Sequence, residues 1–139
     1  MKKDFQTWHR IKSKIDLEHQ PPPFHEREVW WCSLGANVGV EEDGKNKFFE
    51  RPIIVVRKFN KDMLWGIPAT LQKKDGAFYF TFTLSGKEQV ALISQIRTLS
   101  SKRLIRRMGK LSVKQFTALM CAVTDLIKKS GSLAGASGA

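Results

Sequence analysis

The sequence predicts a mainly β (α+β) protein: a small antiparallel, barrel-like sheet with a C-terminal helix packed on it and a helical extension in front. Three observations predict it. From residue 26 to about residue 110, apolar residues come in short β-branched and aromatic runs separated by turn residues. Phe116, Leu119, Met120, Val123, Leu126 and Ile127 form one helical apolar stripe. Pro21-Pro22-Pro23 forbids continued helix and separates the sheet from an N-terminal segment of helical periodicity.

Residues 5–17 are the first element. Phe5, Trp8, Ile11 and Ile15 recur at spacings of three and four, Asp4 stands where an N-cap belongs, and Lys and Arg fill the other face. So short a helix gains stability by docking. It is expected to pack back on the domain and cover apolar surface, leaving the chemistry to residues beyond it. Val29–Leu34 (VWWCSL) then opens the sheet, and a polar, Gly-containing loop runs from Gly35 to about Glu50. Pro52–Arg57 and Leu64–Ile67 are the next strands. Ala77–Leu84 alternates Phe78, Phe80 and Phe82 with Tyr79, Thr81 and Thr83, the period of a half-buried strand. Asp75-Gly76 before it has a hairpin signature, and Ser85-Gly86 turns the chain into a strand over Val90–Gln95. Residues 103–109 fit either a short basic strand or a helical turn flowing into strand. The final helix starts at the capping box Ser112-Val113-Lys114-Gln115 and buries Phe116, Leu119, Met120, Val123, Leu126 and Ile127. Lys128 and Lys129 suit its last turn, and Gly131 follows as a stop. The chain thus divides into an extension and Pro-rich linker (1–25), one domain (26–129) and a Ser/Gly/Ala tail expected to be disordered (130–139).

Composition narrows the function classes. The 139 residues, 42% hydrophobic and 27% charged, have the balance of an ordinary soluble domain, but 24 Lys+Arg against 13 Asp+Glu leave a net charge of +11. That excess fits a polyanionic partner, nucleic acid or an acidic protein. No apolar run approaches the ~20 residues that cross a bilayer, and the start lacks the apolar region of a secretory signal. Cys32 and Cys121 have no metal-type spacing and read as small buried hydrophobes of a reducing compartment. A cytoplasmic location is expected. The four tryptophans, Trp8, Trp30, Trp31 and Trp65, read as core.

Three separated pieces end strand-like runs in polar or cationic residues: Arg51-Pro52 before Ile53–Val56, Ile67-Pro68-Ala69-Thr70, and Ser94-Gln95-Ile96-Arg97-Thr98. With the opening strand Glu28–Leu34, their order and spacing over residues 26–128 resemble the MazF/PemK family of type II toxins. The resemblance implies an SH3-like barrel of the CcdB/PemK type and a metal-independent, sequence-selective endoribonuclease acting on single-stranded RNA, without cofactors. Arg51 and Thr70 match the family's catalytic arginine and threonine. In cutting RNA through its own 2′-hydroxyl, negative charge gathers on the phosphoryl oxygens, and a guanidinium fork with a hydroxyl donor suits that charge. Arg51 is placed at the mouth of a strand, outside the core. Ser94, Gln95 and Arg97 read as RNA contacts, with Glu41 and Glu42 in the loop. Where some family members carry an Arg-x-Asp pair, this chain has Leu92 and Ser94, so the proton acceptor falls to Glu41, Glu42 or His25. His9, His19 and His25 all precede the domain, against a histidine-pair ribonuclease, and no zinc-type Cys/His cluster is present.

The resemblance further implies a homodimer whose basic groove takes RNA, and an acidic cognate antitoxin that occupies the groove. Two alternatives stand beside it. Leu92 and Ser94 fit an RNA-binding module that has lost catalysis. A gyrase-binding toxin of the same fold would need an aromatic residue at the chain end, where this sequence has Gly-Ala-Ser-Gly-Ala139.

Overall fold

A computed structural model describes residues 2–129; the tail expected at 130–139 lies outside them. Helix α1 (Phe5–Glu18) is followed by strands β1 (Glu28–Ser33), β2 (Glu50–Lys58), β3 (Met63–Thr70), β4 (Tyr79–Leu84), β5 (Lys87–Leu92), β6 (Arg97–Ser100) and β7 (Leu104–Lys110), and by helix α2 (Val113–Lys128). The strands form one antiparallel sheet in the order β4-β5-β3-β2-β1-β7. β3 pairs with β5 through Ala69 and Thr70 and with β6 through Met63–Gly66, so the sheet forks there and curls into a half-barrel. The mainly β fold, the C-terminal helix and the N-terminal helix are those read from the sequence.

The central run Ile53–Val56 is buried on both sides, which is why it reads as continuous apolar sequence without alternation. Ile54 and Val56 join Val29, Ile67, Phe82, Leu119 and Val123 in the core between sheet and α2. Ile53 and Val55 point the other way, into a second core with Phe24, Trp30, Leu34 and Leu104. Phe24 is fully buried and takes the Lys58 ammonium over its ring, so the Pro-rich linker ends in an anchor.

Several elements depart from the expectation. Asp75-Gly76 does not close a hairpin: β3 pairs with β5, and β4 lies beyond it as an edge. Ser85-Gly86 does close one, with positive φ at both residues as a type I′ turn requires. The strand expected over Val90–Gln95 ends at Leu92, because a 3-10 turn at Ile93–Gln95 drops Ile93 into the core; β6 then starts afresh. Another 3-10 turn, Ser101–Arg103, flows into β7. In α2 the Ser112 hydroxyl caps the Gln115 amide, but the Gln115 side chain pairs instead with both backbone groups of Thr83 and ties the helix to the β4 edge. Ile127 and Phe78 are exposed. So is Cys121, whereas Cys32 is buried and its thiol is pushed up to about 12 by desolvation. Trp8 and Trp30 are core; Trp31 is half-buried and Trp65 lies 44% exposed, edge-on to Phe59, its indole donating to Thr98.

Candidate active site

The C-terminal end of β1, the N-terminal end of β2 and the C-terminal end of β3 converge on one side of the sheet. Arg51 pairs with Cys32 in register, and Thr70 pairs with Val90 on β5. The two side chains singled out from separate sequence pieces therefore line one pocket of about 220 Å³, with Trp31, Gln89, Gln72, Lys45 and Asn46 among its walls. That volume is below the roughly 300–1,000 Å³ of sites that engulf a small molecule.

Arg51 is not the open strand-mouth residue expected. It is only 4% exposed, and three of its nitrogens are engaged. Nε donates to the carbonyl of Asp43 at 2.5 Å, one terminal nitrogen to the carbonyl of Ala69 at 3.2 Å, and the other meets Glu42 at 2.6 Å. Burial lowers the pKa of Arg51, opposed by the carboxylates of Glu42 and Asp43; a guanidinium stays charged regardless. Thr70 is buried, its oxygen accepting the Gln72 amide at 3.2 Å; among the described residues its own proton makes no hydrogen bond.

The loop between β1 and β2 folds over this pair. Gln95 clasps it, accepting from the Glu42 amide and donating to the Val40 carbonyl, both at 3.2 Å. Asn37 donates to the carbonyls of Leu34 and Glu42. Glu42 is thus brought to Arg51, and Gln95 holds the loop behind it without touching the guanidinium. Glu41 is exposed and turned back to the Val38 amide. Ser94 is exposed and Arg97 half-exposed on the turn and strand that follow β5.

His25 is elsewhere. It contacts Glu28 at the far end of β1, four residues from Cys32 and so roughly 13 Å along the strand from Arg51. Glu28 itself is buried. Desolvation raises its pKa, but hydrogen bonds from the Trp30 indole and the His25 amide, with the charges of Arg107 and His25, outweigh that and leave it lowered.

The opening strand also supplies a wall residue that the sequence reading placed in the core. Trp30 faces inward, so its neighbour Trp31 faces the pocket, with Arg106 stacked 4.9 Å from its ring. The period-two alternation of β1 was the available signal. Gln89, buried opposite Phe82, carried none.

A family model described as "PemK-like, MazF-like toxin of type II toxin-antitoxin system" matches residues 25–127. This chain belongs to the MazF/PemK toxin family. The fold is that of solved members. A MazF from Deinococcus radiodurans superposes with a TM-score of 0.65 at 18% identity, covering 76% of this chain and 97% of that one. An endoribonuclease in complex with its cognate antitoxin, from Mycobacterial species, gives 0.60 at 13% identity, covering 78% and 98%. A MazE–MazF complex from Deinococcus radiodurans gives 0.56 at 19%, covering 78% and 97%. A comparison with curated proteins finds no match. The family match starts after α1, at the end of the Pro-rich linker. No helix among the described residues is long and apolar enough to cross a membrane.

Proposed function

We propose that this type II toxin is a metal-independent, sequence-selective endoribonuclease that cuts single-stranded RNA by attack of the 2′-hydroxyl on the adjacent phosphorus. The observation that carries the reading is the meeting of Arg51 and Thr70, from two strand ends, in one pocket walled by Trp31. Arg51 grips the phosphoryl oxygens and stabilises their developing charge, while Thr70 donates its hydroxyl proton to the same group. Trp31 offers a stacking face to a base, and Ser94, Gln95 and Arg97 continue the strand's path along the groove.

Of the three groups considered as proton acceptor, Glu42 alone sits on Arg51. An entering phosphate displaces Glu42 from the guanidinium and leaves its carboxylate free beside the nucleophile. The 2′-oxygen bonds to phosphorus as its proton passes to Glu42; the bond to the 5′-oxygen breaks, and that oxygen takes a proton from solvent. The products are a 2′,3′-cyclic phosphate and a 5′-hydroxyl. Glu41, turned back into its own loop, serves as a rim contact to RNA. The chemistry asks for no metal; among the described residues no group of three His, Cys, Asp or Glu side chains is placed to hold one.

The net charge of +11 supports binding both of RNA and of an acidic antitoxin in the same groove, with the toxin a homodimer acting in the cytoplasm. Incubating the purified protein with single-stranded RNA, with and without chelator, tests the reading. Cleavage that survives chelation supports it. RNA bound but uncut favours a binding module instead, a second reading that Leu92 and Ser94 keep open.

A further inference from the structure

Helix α1 lies outside the family match, yet it reaches the loop that covers Arg51. Lys3, one residue before the Asp4 cap, extends its ammonium into that loop. It donates to the carbonyls of Asn37 at 2.6 Å and Gly39 at 3.1 Å, and pairs with the Asp43 carboxylate at 3.0 Å. Asp43 is the residue whose carbonyl holds Arg51 Nε and whose carboxylate accepts the Asn37 amide. A short line of polar contacts therefore joins the arm to the guanidinium. At the base of the loop the Trp8 indole lies against Gly35: a Cβ there would fall 2.0 Å from its ring, and φ at Gly35 is +85°. Phe49, at the other end of the loop, packs 5.6 Å from Trp8, and the Gly35 amide donates to its carbonyl. The arm grips the loop at both ends and in the middle.

Covering apolar surface accounts for part of this: Trp8 is buried and Ile11 and Ile15 are half-buried, while Phe5 is 49% exposed. It does not account for Lys3. Long lysine side chains also lose much rotamer freedom when fixed, so a lysine holding three loop groups marks a contact that specifies a conformation.

We propose that the N-terminal arm is a latch: Lys3 and Trp8 hold the β1–β2 loop closed on Arg51, and a phosphodiester reaches the guanidinium only when the loop slackens enough to release Glu42 from it, with Glu42 staying beside the pocket. This rests on the reading of Arg51 as the phosphate-binding group. Lys3 and Trp8 are positioning residues; neither touches the pocket. A substrate that binds only the open form has its apparent affinity reduced by the fraction open. Weakening the latch therefore raises loop opening and lowers KM by the same factor. The Lys3–Asp43 pair is about one-quarter to one-third exposed, so that factor is modest, about three- to tenfold.

The test uses the full chain with Lys3→Ala and Lys3→Arg. Hydrogen exchange is followed at the Asn37 and Gly44 amides, whose acceptors lie within the loop and at its base, beside steady-state cleavage of a single-stranded RNA oligonucleotide. In Lys3→Ala, exchange at both amides rises and KM falls, each about three- to tenfold, while kcat stays within about twofold. Lys3→Arg keeps wild-type behaviour. Unchanged exchange in Lys3→Ala overturns the latch whatever the activity does. An unchanged KM with a fallen kcat overturns it too, since the arm would then be placing Glu42 for the chemical step. If exchange rises but no form, wild type included, cuts RNA, the latch over Arg51 holds and the ribonuclease reading is the part that fails.

Discussion

Replacing Arg51 with alanine separates the chemical role of this side chain from its structural one. Three contacts are lost: to Glu42 at 2.6 Å, to the Asp43 carbonyl at 2.5 Å and to the Ala69 carbonyl at 3.2 Å. Hydrogen bonds to a charged group contribute roughly 1.5–3 kcal/mol each when buried. Glu42 is 26% exposed at its side chain and the loop can re-solvate its groups, so the net stability cost is about 2 kcal/mol. For a domain of this size that is a fall in Tm of roughly 5–10 °C. Starting from the usual 5–15 kcal/mol, at least ~3 kcal/mol remains, and more than about 99% of the molecules stay folded. Unfolding therefore cannot account for a large loss of rate. Loss of one preorganised donor to the transition state costs about 10²–10³-fold, or about 2.7–4 kcal/mol. Cleavage by Arg51→Ala should fall by that factor, and affinity for a 2′-deoxy analogue of the RNA by much less, because many other cations share the electrostatic attraction. Arg51→Lys should not restore the rate, since an ammonium cannot reach two phosphate oxygens as a fork does. Single-turnover cleavage and equilibrium binding on the same protein, with thermal melts alongside, read all three quantities. Equal losses of rate and affinity, or full activity in Arg51→Lys, would reduce Arg51 to a binding residue.

Two further outcomes follow from neighbouring groups. Glu42→Gln keeps the loop's shape but removes the proton acceptor, so kcat should drop about 10²-fold or more while KM does not rise; unchanged kcat would return the role to another base. At Glu28 the folded carboxyl has a pKa below its ordinary 4.5, so its contribution to stability is present above about that pH and lost as pH falls through the lowered value. Urea unfolding should show Glu28→Gln less stable than wild type at pH 7, with the gap narrowing as pH falls below about 4.5; a gap independent of pH would contradict the charge-based account.

The strand positions were legible because β-branched and aromatic runs are local signals, and Ile53–Val56 and Tyr79–Leu84 are strong ones. What went astray was non-local. The Asp75-Gly76 signature is real turn chemistry, but which strand β3 pairs with beyond the loop depends on the forked sheet and not on the turn. Ile93 continued an apolar pattern past the true end of β5 because a 3-10 turn can bury an isoleucine as well as a strand can. Arg97–Ser100 is too short to display a period. In the site, Arg51 and Thr70 were found through family resemblance, and the fold sets them in one pocket. Their loop cover was not legible: Glu41, Glu42 and Asp43 are adjacent carboxylates, and only the folded loop decides which one meets a guanidinium. Nothing in the sequence around Lys3 announces a partner some forty residues away.

The most direct test of the central claim is the chemistry of the cut ends. Single-stranded RNA is incubated in EDTA with wild-type protein and with Arg51→Ala, and the products are resolved by mass spectrometry. Fragments from the wild type should carry a 2′,3′-cyclic phosphate on one side of each break and a 5′-hydroxyl on the other, with the same breaks about 10²–10³-fold slower in the variant. Fragments with a 5′-phosphate, or cleavage that stops in EDTA and returns with Mg²⁺, would contradict attack by the 2′-hydroxyl at an arginine–threonine site.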